Sequence, residues 1–121
     1  MIHLIFCLRR LPHLSREEFQ RYWRETHAPL VRKHAAALGI KRYVQAHTID
    51  PAGTQGIAAV RNAPDPFDGV AEIWLDLAHL RAAGSQDEAI EAGRQLLQDE
   101  GRFIDLPHSP IFITEDNVVI D

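Results

Sequence analysis

Cysteine is almost absent from this chain of 121 residues, and the single Cys7 excludes an internal disulfide and any zinc site built on several thiolates. Long apolar runs are also missing. The longest, Ile2 to Leu8, is far shorter than the roughly 20 residues that span a bilayer. Arg9 and Arg10 follow this run instead of preceding it, which is not the order of a secretory signal. We therefore expect a cytoplasmic protein with no membrane span.

Cofactor and metal motifs are lacking as well. Gly53 and Gly56 are not followed by the helix start that a phosphate-binding loop needs, and no haem or flavin motif occurs. The closest histidines on a predicted helix, His27 and His34, are two turns or ~10 Å apart, too far to share one ion. Asp105, His108 and Ser109 resemble a hydrolase set only weakly, because no nucleophile-elbow motif surrounds the serine. We expect no cofactor and no metal.

Length and composition predict one folded domain over residues 1–121, because 45% hydrophobic and 25% charged residues is the balance of a globular protein. Residues 1–60 hold nine Lys/Arg against four Asp/Glu, and residues 61–121 hold four against thirteen. No motif that interleaves aromatic and basic residues accompanies the basic half, so we expect no nucleic-acid partner. We interpret the opposite charges as complementing each other within or between chains.

Apolar periodicity predicts four strands, at residues 2–8, 40–49, 69–77 and 111–114, and two main helices. Ser15 followed by Glu18 is a capping box that begins the first helix, and Gly39 is placed to end it. Ser85 followed by Glu88 has the same spacing before the second helix, which we expect to run to about Gly101. Residues 50–67 carry three prolines and two glycines and are predicted to form a long loop; residues 78–83 are predicted to form a short helical turn.

The order β-α-β-β-α-β is that of the ferredoxin-like α+β fold, a four-stranded antiparallel sheet with helices on one face. The other face keeps apolar side chains that nothing in the chain covers. Because exposed apolar faces of that size mark interfaces, we expect a homodimer that packs sheet against sheet to form a dimeric α+β barrel.

The most unusual local feature is the break at Pro29, which has no amide hydrogen and collides with the carbonyl of Glu25, so the helix is kinked or opened there. His27 lies within that turn and on the inward stripe of the helix. An imidazole there could exchange protons near neutral pH, or it could be a core histidine bonded to a backbone carbonyl.

The predicted strands carry three more candidates. Glu72 and Trp74 share one side of the third strand, which we take as inward, where a carboxylate beside an indole could act as acid or base. Alternatively, Glu72 pairs with Arg42 or Lys41 on a neighbouring strand. Tyr43 could exchange a proton, or it could pack as a strand aromatic with a polar tip.

Motifs across nearly the whole chain resemble the EthD family of the dimeric α+β-barrel superfamily. The matching pieces are the run from Leu14 to Trp23, then His27-Ala-Pro-Leu30, Val70-Ala-Glu-Ile-Trp74, Phe103-Ile-Asp105 and Phe112-Ile-Thr-Glu115. Within the superfamily, the methylmuconolactone methylisomerases have the most similar pattern, with a helix histidine, a strand tyrosine and a Glu-x-Trp strand. The resemblance implies the fold above, a homodimer and a pocket between sheet and helices. Residues 50–67, an expected pocket wall, look unrelated to the methylisomerase loop.

The resemblance also implies residue roles. As an enzyme, the protein would perform cofactor-independent acid/base catalysis, such as isomerisation, dehydration or cyclisation, on a small aromatic, polyketide-like or lactone metabolite. His27 would shuttle the proton, Tyr43 would hold an oxygen, Glu72 would orient a partner or act as a second base, and Trp74 would form an apolar wall. Trp23, in the first matching piece, is a further substrate-binding candidate. His47 and His108 are also substrate-binding candidates, although they are not among the matching motif positions. Alternatively, the protein is a non-catalytic accessory protein that binds a hydrophobic metabolite in a degradation pathway, or a purely structural dimer with no cavity at His27.

Overall fold

The computed structural model describes residues 1–50, 55–83 and 86–121 of the chain. Four strands form one antiparallel sheet in the order β2-β3-β1-β4, which is the ferredoxin-like arrangement predicted from the sequence. The strands are β1 (Ile2–Leu8), β2 (Ile40–His47), β3 (Gly69–Leu75) and β4 (Ile111–Thr114). The second and third strands each end two residues earlier than predicted.

The helices are α1 (Arg16–Tyr22), α2 (Ala28–Leu38), α3 (Gln55–Ala59), α4 (Leu77–Ala83) and α5 (Asp87–Glu100), with a short 3₁₀ turn at Leu106–His108. The prediction of residues 50–67 as irregular loop was wrong in part, because α3 lies within them. The predicted cap at Ser85 falls outside the described residues. Over 1–50, 55–83 and 86–121, no helix is both long and apolar enough to cross a membrane.

The first helix begins as its sequence predicts. The Oγ atom of Ser15 accepts a hydrogen bond from the Glu18 amide at 3.1 Å, and the Glu18 carboxylate accepts one from the Ser15 amide at 3.0 Å. Gly39 ends α2 with a φ of +70°, a left-handed conformation that costs glycine little. Both signals are local, which is why the sequence alone locates them.

The core lies between the helices and one face of the sheet. Its largest fully buried side chains are Phe19, Trp23, Phe103 and Leu8. Gly69 begins β3 directly beneath the ring of Trp23, and a Cβ atom there would lie only 2.4 Å from that ring. A glycine at this position therefore allows the indole to lie against the backbone of the sheet.

Candidate active site

A turn of π-helix at Trp23–His27, here called the π turn, joins α1 to α2. The amide of Ala28 donates to the carbonyl of Trp23, five residues back, and Pro29 has no amide hydrogen to offer the carbonyl of Glu25. The predicted opening of the helix before Pro29 is therefore confirmed. Both ends of the π turn are buried: Trp23 is 1% exposed and His27 is 5% exposed.

The buried face of the π turn closes one end of a cavity of about 50 Å³ between the helices and the sheet. Most of its walls are apolar, including Phe6, Leu8, Val31, Ile73, Leu96 and Ile104. Its ionisable lining residues are His27, Tyr43 and Glu100. The volume holds a few water molecules, well below the roughly 300–1,000 Å³ of typical ligand sites, so its walls must move to admit a metabolite.

His27 is held by a buried carboxylate. Its Nδ1 atom lies 2.8 Å from Oδ2 of Asp99, near the end of α5. Asp99 also accepts hydrogen bonds from the Tyr22 hydroxyl at 2.5 Å and from the Arg102 guanidinium at 3.1 Å. Burial alone would raise the pKa of Asp99, but these hydrogen bonds outweigh it and hold the pKa below its usual value. Asp99 is therefore an ionised acceptor at neutral pH.

This geometry fixes the tautomer of His27. Burial lowers the pKa of His27, and the opposing effect of Asp99 does not offset it, so the ring is neutral at pH 7. Since the Asp99 carboxylate only accepts, the ring proton is on Nδ1. The other nitrogen, Nε2, carries the lone pair and has no hydrogen-bond partner among the described residues. His27 is thus a buried base on the wall of the cavity.

Tyr43 brings a hydroxyl to the same cavity from β2. Its oxygen accepts hydrogen bonds from Nε1 of Trp23 at 3.2 Å and from Nε2 of Gln45 at 3.1 Å. Burial raises the pKa of the phenol, so it keeps its proton at neutral pH. Both neighbours are donors, and no described residue accepts the hydroxyl proton, which is therefore available to a ligand oxygen.

A second layer of contacts holds Tyr43 in place. Gln45 donates to the backbone carbonyl of Trp23 at 2.9 Å, which identifies its nitrogen, and its oxygen then accepts from Nε2 of His47 at 2.8 Å. The His47 ring stacks on Trp23 with centroids 4.4 Å apart. His47 does not line the cavity, so its predicted contact with substrate is corrected to a supporting position behind Gln45 and Trp23.

The prediction that Glu72 and Trp74 face inward is wrong. They lie on the sheet face opposite the helices, here called the outer face, whereas Ala71 and Ile73 line the cavity. The Glu72 carboxylate lies 3.2 Å from Nε2 of His3, and the Trp74 ring stacks on the His3 ring with centroids 4.1 Å apart. The alternative prediction, that Glu72 pairs with Arg42 or Lys41, is replaced by this contact with His3.

Two further expectations are corrected. His108 is exposed, with 72% of its side chain accessible; it pairs with Asp105 at 2.9 Å and does not line the cavity. The described part of residues 50–67 does not line the cavity either. Instead, it forms a separate open cleft of about 570 Å³ with the residues that directly follow β2, lined by residues such as Ile49, Ile57 and Pro64. Of the predicted site residues, the structure brings His27, Tyr43 and Trp23 together.

Sequence reasoning missed Asp99 and Glu100, although a signal for Asp99 exists. The buried positions of α5 are Ala89, Ala92, Leu96 and Asp99, spaced three, four and three apart. A carboxylate that continues an apolar stripe needs a buried partner, and this spacing could have identified it. Among the described residues, no group of three or more His, Cys, Asp or Glu side chains is arranged to hold a metal ion.

Comparison with known proteins places the chain in a family. The family model described as EthD domain matches residues 11–107, which include the π turn, Tyr43, Asp99 and Glu100. The chain belongs to the EthD domain family. All the ionisable residues of the cavity therefore lie within the matched part of this EthD domain. No curated protein matches the chain in sequence.

Solved structures share the fold of this EthD domain at low sequence identity. An EthD family protein from Bacillus halodurans is 20% identical with a TM-score of 0.60, over 97% of this chain and 100% of that one. A dimeric, ferredoxin-like protein of unknown function from Bacteroides fragilis is 9% identical with a TM-score of 0.57, over 95% of each chain. HapK from Hahella chejuensis is 12% identical with a TM-score of 0.57, over 100% of this chain and 99% of that one. The resemblance to methylmuconolactone methylisomerases stays a prediction.

Proposed function

We propose that this EthD protein catalyses cofactor-independent proton transfer on a small aromatic, polyketide-like or lactone metabolite bound between the sheet and the helices. One observation carries the proposal: a neutral histidine, fixed in one tautomer by a buried carboxylate, shares an apolar cavity with a tyrosine whose hydroxyl proton is free. An oriented base and a hydrogen-bond donor in one closed site are what enolisation requires.

The chemistry follows from two polar atoms on residues that line the cavity. Nε2 of His27 removes a proton from a carbon next to a carbonyl, and the Tyr43 hydroxyl donates a hydrogen bond to the oxygen on which charge develops. The imidazolium formed is stabilised by Asp99, 2.8 Å from Nδ1. Return of the proton to another carbon gives an isomerisation. Loss of a hydroxyl group, which leaves as water with the proton of the imidazolium, gives a dehydration. Attack of the enolate on a second carbonyl, whose oxygen takes that proton, gives a cyclisation.

The apolar walls support this chemistry in two ways. They favour a flat, hydrophobic ring, and they exclude water, which strengthens each hydrogen bond to developing charge. Leu96 and Ile73 are aliphatic, so a rotamer change in them can enlarge the cavity without leaving a polar group unpaired. We therefore expect the ligand to enter by displacing apolar side chains.

We also propose that the protein is a homodimer joined through the outer face. Phe112 of β4 pairs with Ile5 of β1 in the sheet, and both belong to the outer face with His3 and Trp74. Phe112 is 47% exposed there, although it is a large apolar side chain. A second copy would cover it, and the similar protein from Bacteroides fragilis is described as dimeric.

Deuterium exchange into simple carbonyl compounds tests the catalytic proposal. Cyclohexenone, the simplest butenolide lactone and tetralone are incubated with the protein in D₂O, and label next to the carbonyl is measured by mass spectrometry. We expect the wild type to accelerate exchange of at least one probe, and His27→Gln to lose about 10²- to 10⁴-fold of that rate.

The matched control is His34→Gln, because His34 lies on α2, bonds Gln95 at 2.9 Å and does not line the cavity. It should exchange at the wild-type rate. Binding of the probes without exchange would instead support the accessory function, a protein that sequesters a hydrophobic metabolite. Equal exchange by the wild type and His27→Gln would contradict the role of His27.

A further inference from the structure

Glu100 is the third ionisable residue of the cavity, and the mechanism above does not use it. It is the last residue of α5, directly after Asp99, and its side chain lines the same walls as His27 and Tyr43. Glu100 and Tyr43 line the same cavity, and a charge on Glu100 contributes to the raised pKa of the Tyr43 phenol. No residue that the structure describes donates a hydrogen bond to its carboxyl group. The carboxyl group is therefore free to contact a ligand.

The surroundings of Glu100 favour its protonated form. Burial is the larger cause and the neighbouring Asp99 charge the second, and together they raise its pKa to about 7. His27 on the π turn and Tyr43 on β2 face it from the other elements, and both are neutral at pH 7. No Lys or Arg is among the described residues that line the cavity. Nothing in the described walls therefore compensates an ionised Glu100.

We propose that Glu100 is a catalytic acid, which gives its carboxyl proton to the carbonyl oxygen of a neutral substrate while His27 removes the proton from carbon. This inference rests on the proposed function and extends it. Each group does what its surroundings favour: a neutral imidazole accepts, and a neutral carboxyl group donates. Paired titratable groups with opposite tasks are a recurring arrangement in proton-transfer sites.

This proton transfer needs neither an oxidant nor a second reactant. Nε2 of His27 takes the proton from carbon, and the electron pair of that C–H bond becomes the new C=C bond. The C=O π pair moves to oxygen, which forms an O–H bond with the proton of Glu100. His27 is then an imidazolium and Glu100 a carboxylate. In an isomerisation, the imidazolium protonates another carbon and the enol O–H proton returns to Glu100, which restores both groups.

The charges around the cavity also determine which class of substrate it can bind. A ligand carboxylate would add a negative charge close to the ionised Asp99, in a cavity whose described lining residues supply no cation. The site therefore favours uncharged lactones, phenols and cyclic ketones and rejects carboxylates of the same size. Phenol and benzoate are a suitable pair of probes, because they share one ring and differ in charge at pH 7.

The ligand experiment compares these two probes by NMR titration of the wild-type protein at pH 7. We expect phenol to perturb the signals of His27 and Tyr43, and benzoate to bind at least ten-fold more weakly. Benzoate binding as tightly as phenol would overturn the substrate class. In Glu100→Gln the amide keeps the shape and a donor, so phenol affinity should stay within about two-fold.

The kinetic experiment follows exchange of the same neutral ketone probes against pH. The wild-type rate should fall as pH rises through about 7, where Glu100 loses its proton. In Glu100→Gln the rate should drop by about 10²-fold and this falling limb should disappear. The matched control is Glu91→Gln on the exposed side of α5, where Glu91 pairs with Arg94, and it should keep the wild-type profile.

The outcomes separate the two proposals. If His27→Gln loses exchange while Glu100→Gln keeps both the rate and the falling limb, only the role of Glu100 is overturned. If His27→Gln keeps full exchange, the proposed function fails. A wild-type protein that binds these probes without exchanging their protons overturns both.

Discussion

Nδ1 of His27 lies 2.8 Å from Oδ2 of Asp99, although 72 residues separate the two in the chain. The contact joins the π turn to the last turn of α5, and it brings a base to the cavity wall. Because Asp99 also binds Tyr22 and Arg102, the carboxylate stays ionised and determines which nitrogen of His27 is free. The chemistry of the site therefore depends on a residue that does not itself line the cavity.

Asp99→Asn should show whether proton exchange requires Asp99 to fix the tautomer of His27, or only requires the histidine to be present. An amide nitrogen facing Nδ1 would donate to it, moving the ring proton to Nε2 and removing the base. We expect exchange to fall about 10²- to 10⁴-fold and the free energy of unfolding in urea to fall by about 1–3 kcal/mol. Tyr22→Phe is the control, since it removes one hydrogen bond to Oδ1 and leaves the His27 contact. If Asp99→Asn keeps wild-type exchange, the tautomer argument is wrong.

The effect of Glu100→Gln on the free energy of unfolding should depend on pH. The folded-state pKa of about 7 lies above the ordinary 4.5, so the folded state binds the proton more tightly. Its contribution is present at pH 4 and is lost as pH rises through 7, because ionisation then opposes folding. At pH 8 the variant should be more stable than wild type by at most about 3 kcal/mol, and at pH 4 the two should be nearly equal. Equal differences at both pH values in urea titrations would refute this.

Pro29→Ala should restore an amide that can donate to the carbonyl of Glu25. The π turn would then tighten to α-helix, and His27 would rotate away from Asp99. We expect the free energy of unfolding to change by less than about 1 kcal/mol, because the gained hydrogen bond offsets the loss of proline rigidity. Phenol affinity and exchange should fall several-fold. Unchanged affinity and activity would mean that the π turn is not needed.

Phe112→Asp should separate the proposed dimer into monomers, because it puts a charge into the outer face. Light scattering at micromolar concentration should give twice 13.7 kDa for wild type and 13.7 kDa for the variant. Ile113→Asp is the matched control and should stay dimeric, since Ile113 is 58% exposed on the other side of the same strand. A wild-type mass of 13.7 kDa, or dissociation of both variants alike, would count against this interface.

Local signals made much of the fold predictable. Ser15 with Glu18, Gly39 and Pro29 each act on neighbours within five residues, and strand alternation correctly groups Glu72 with Trp74. Alternation does not say which group faces the helices, because both sides of β3 carry apolar residues. The side chosen for Glu72 and Trp74 was therefore wrong, while the grouping was right.

The candidate site was less predictable because its key contacts are long-range. His27 and Tyr43 carry their own signals, a helix break and a strand aromatic. Asp99 and Glu100 look like ordinary charges at the end of a helix until α5 is docked on the π turn. Conversely, His47 and His108 were predicted to bind substrate although neither lies in a matching motif, and the structure places both outside the cavity lining.

The most direct test of the account is the ¹⁵N NMR spectrum of the His27 ring, recorded from pH 8 down through 6.5 with and without phenol. We expect a neutral ring at pH 8 with its proton on Nδ1, a titration midpoint below the ordinary 6.5 because burial lowers the pKa, and a change at Nε2 when phenol binds. A ring with its proton on Nε2, a charged ring at pH 7, or an Nε2 signal indifferent to phenol would contradict a base facing the cavity.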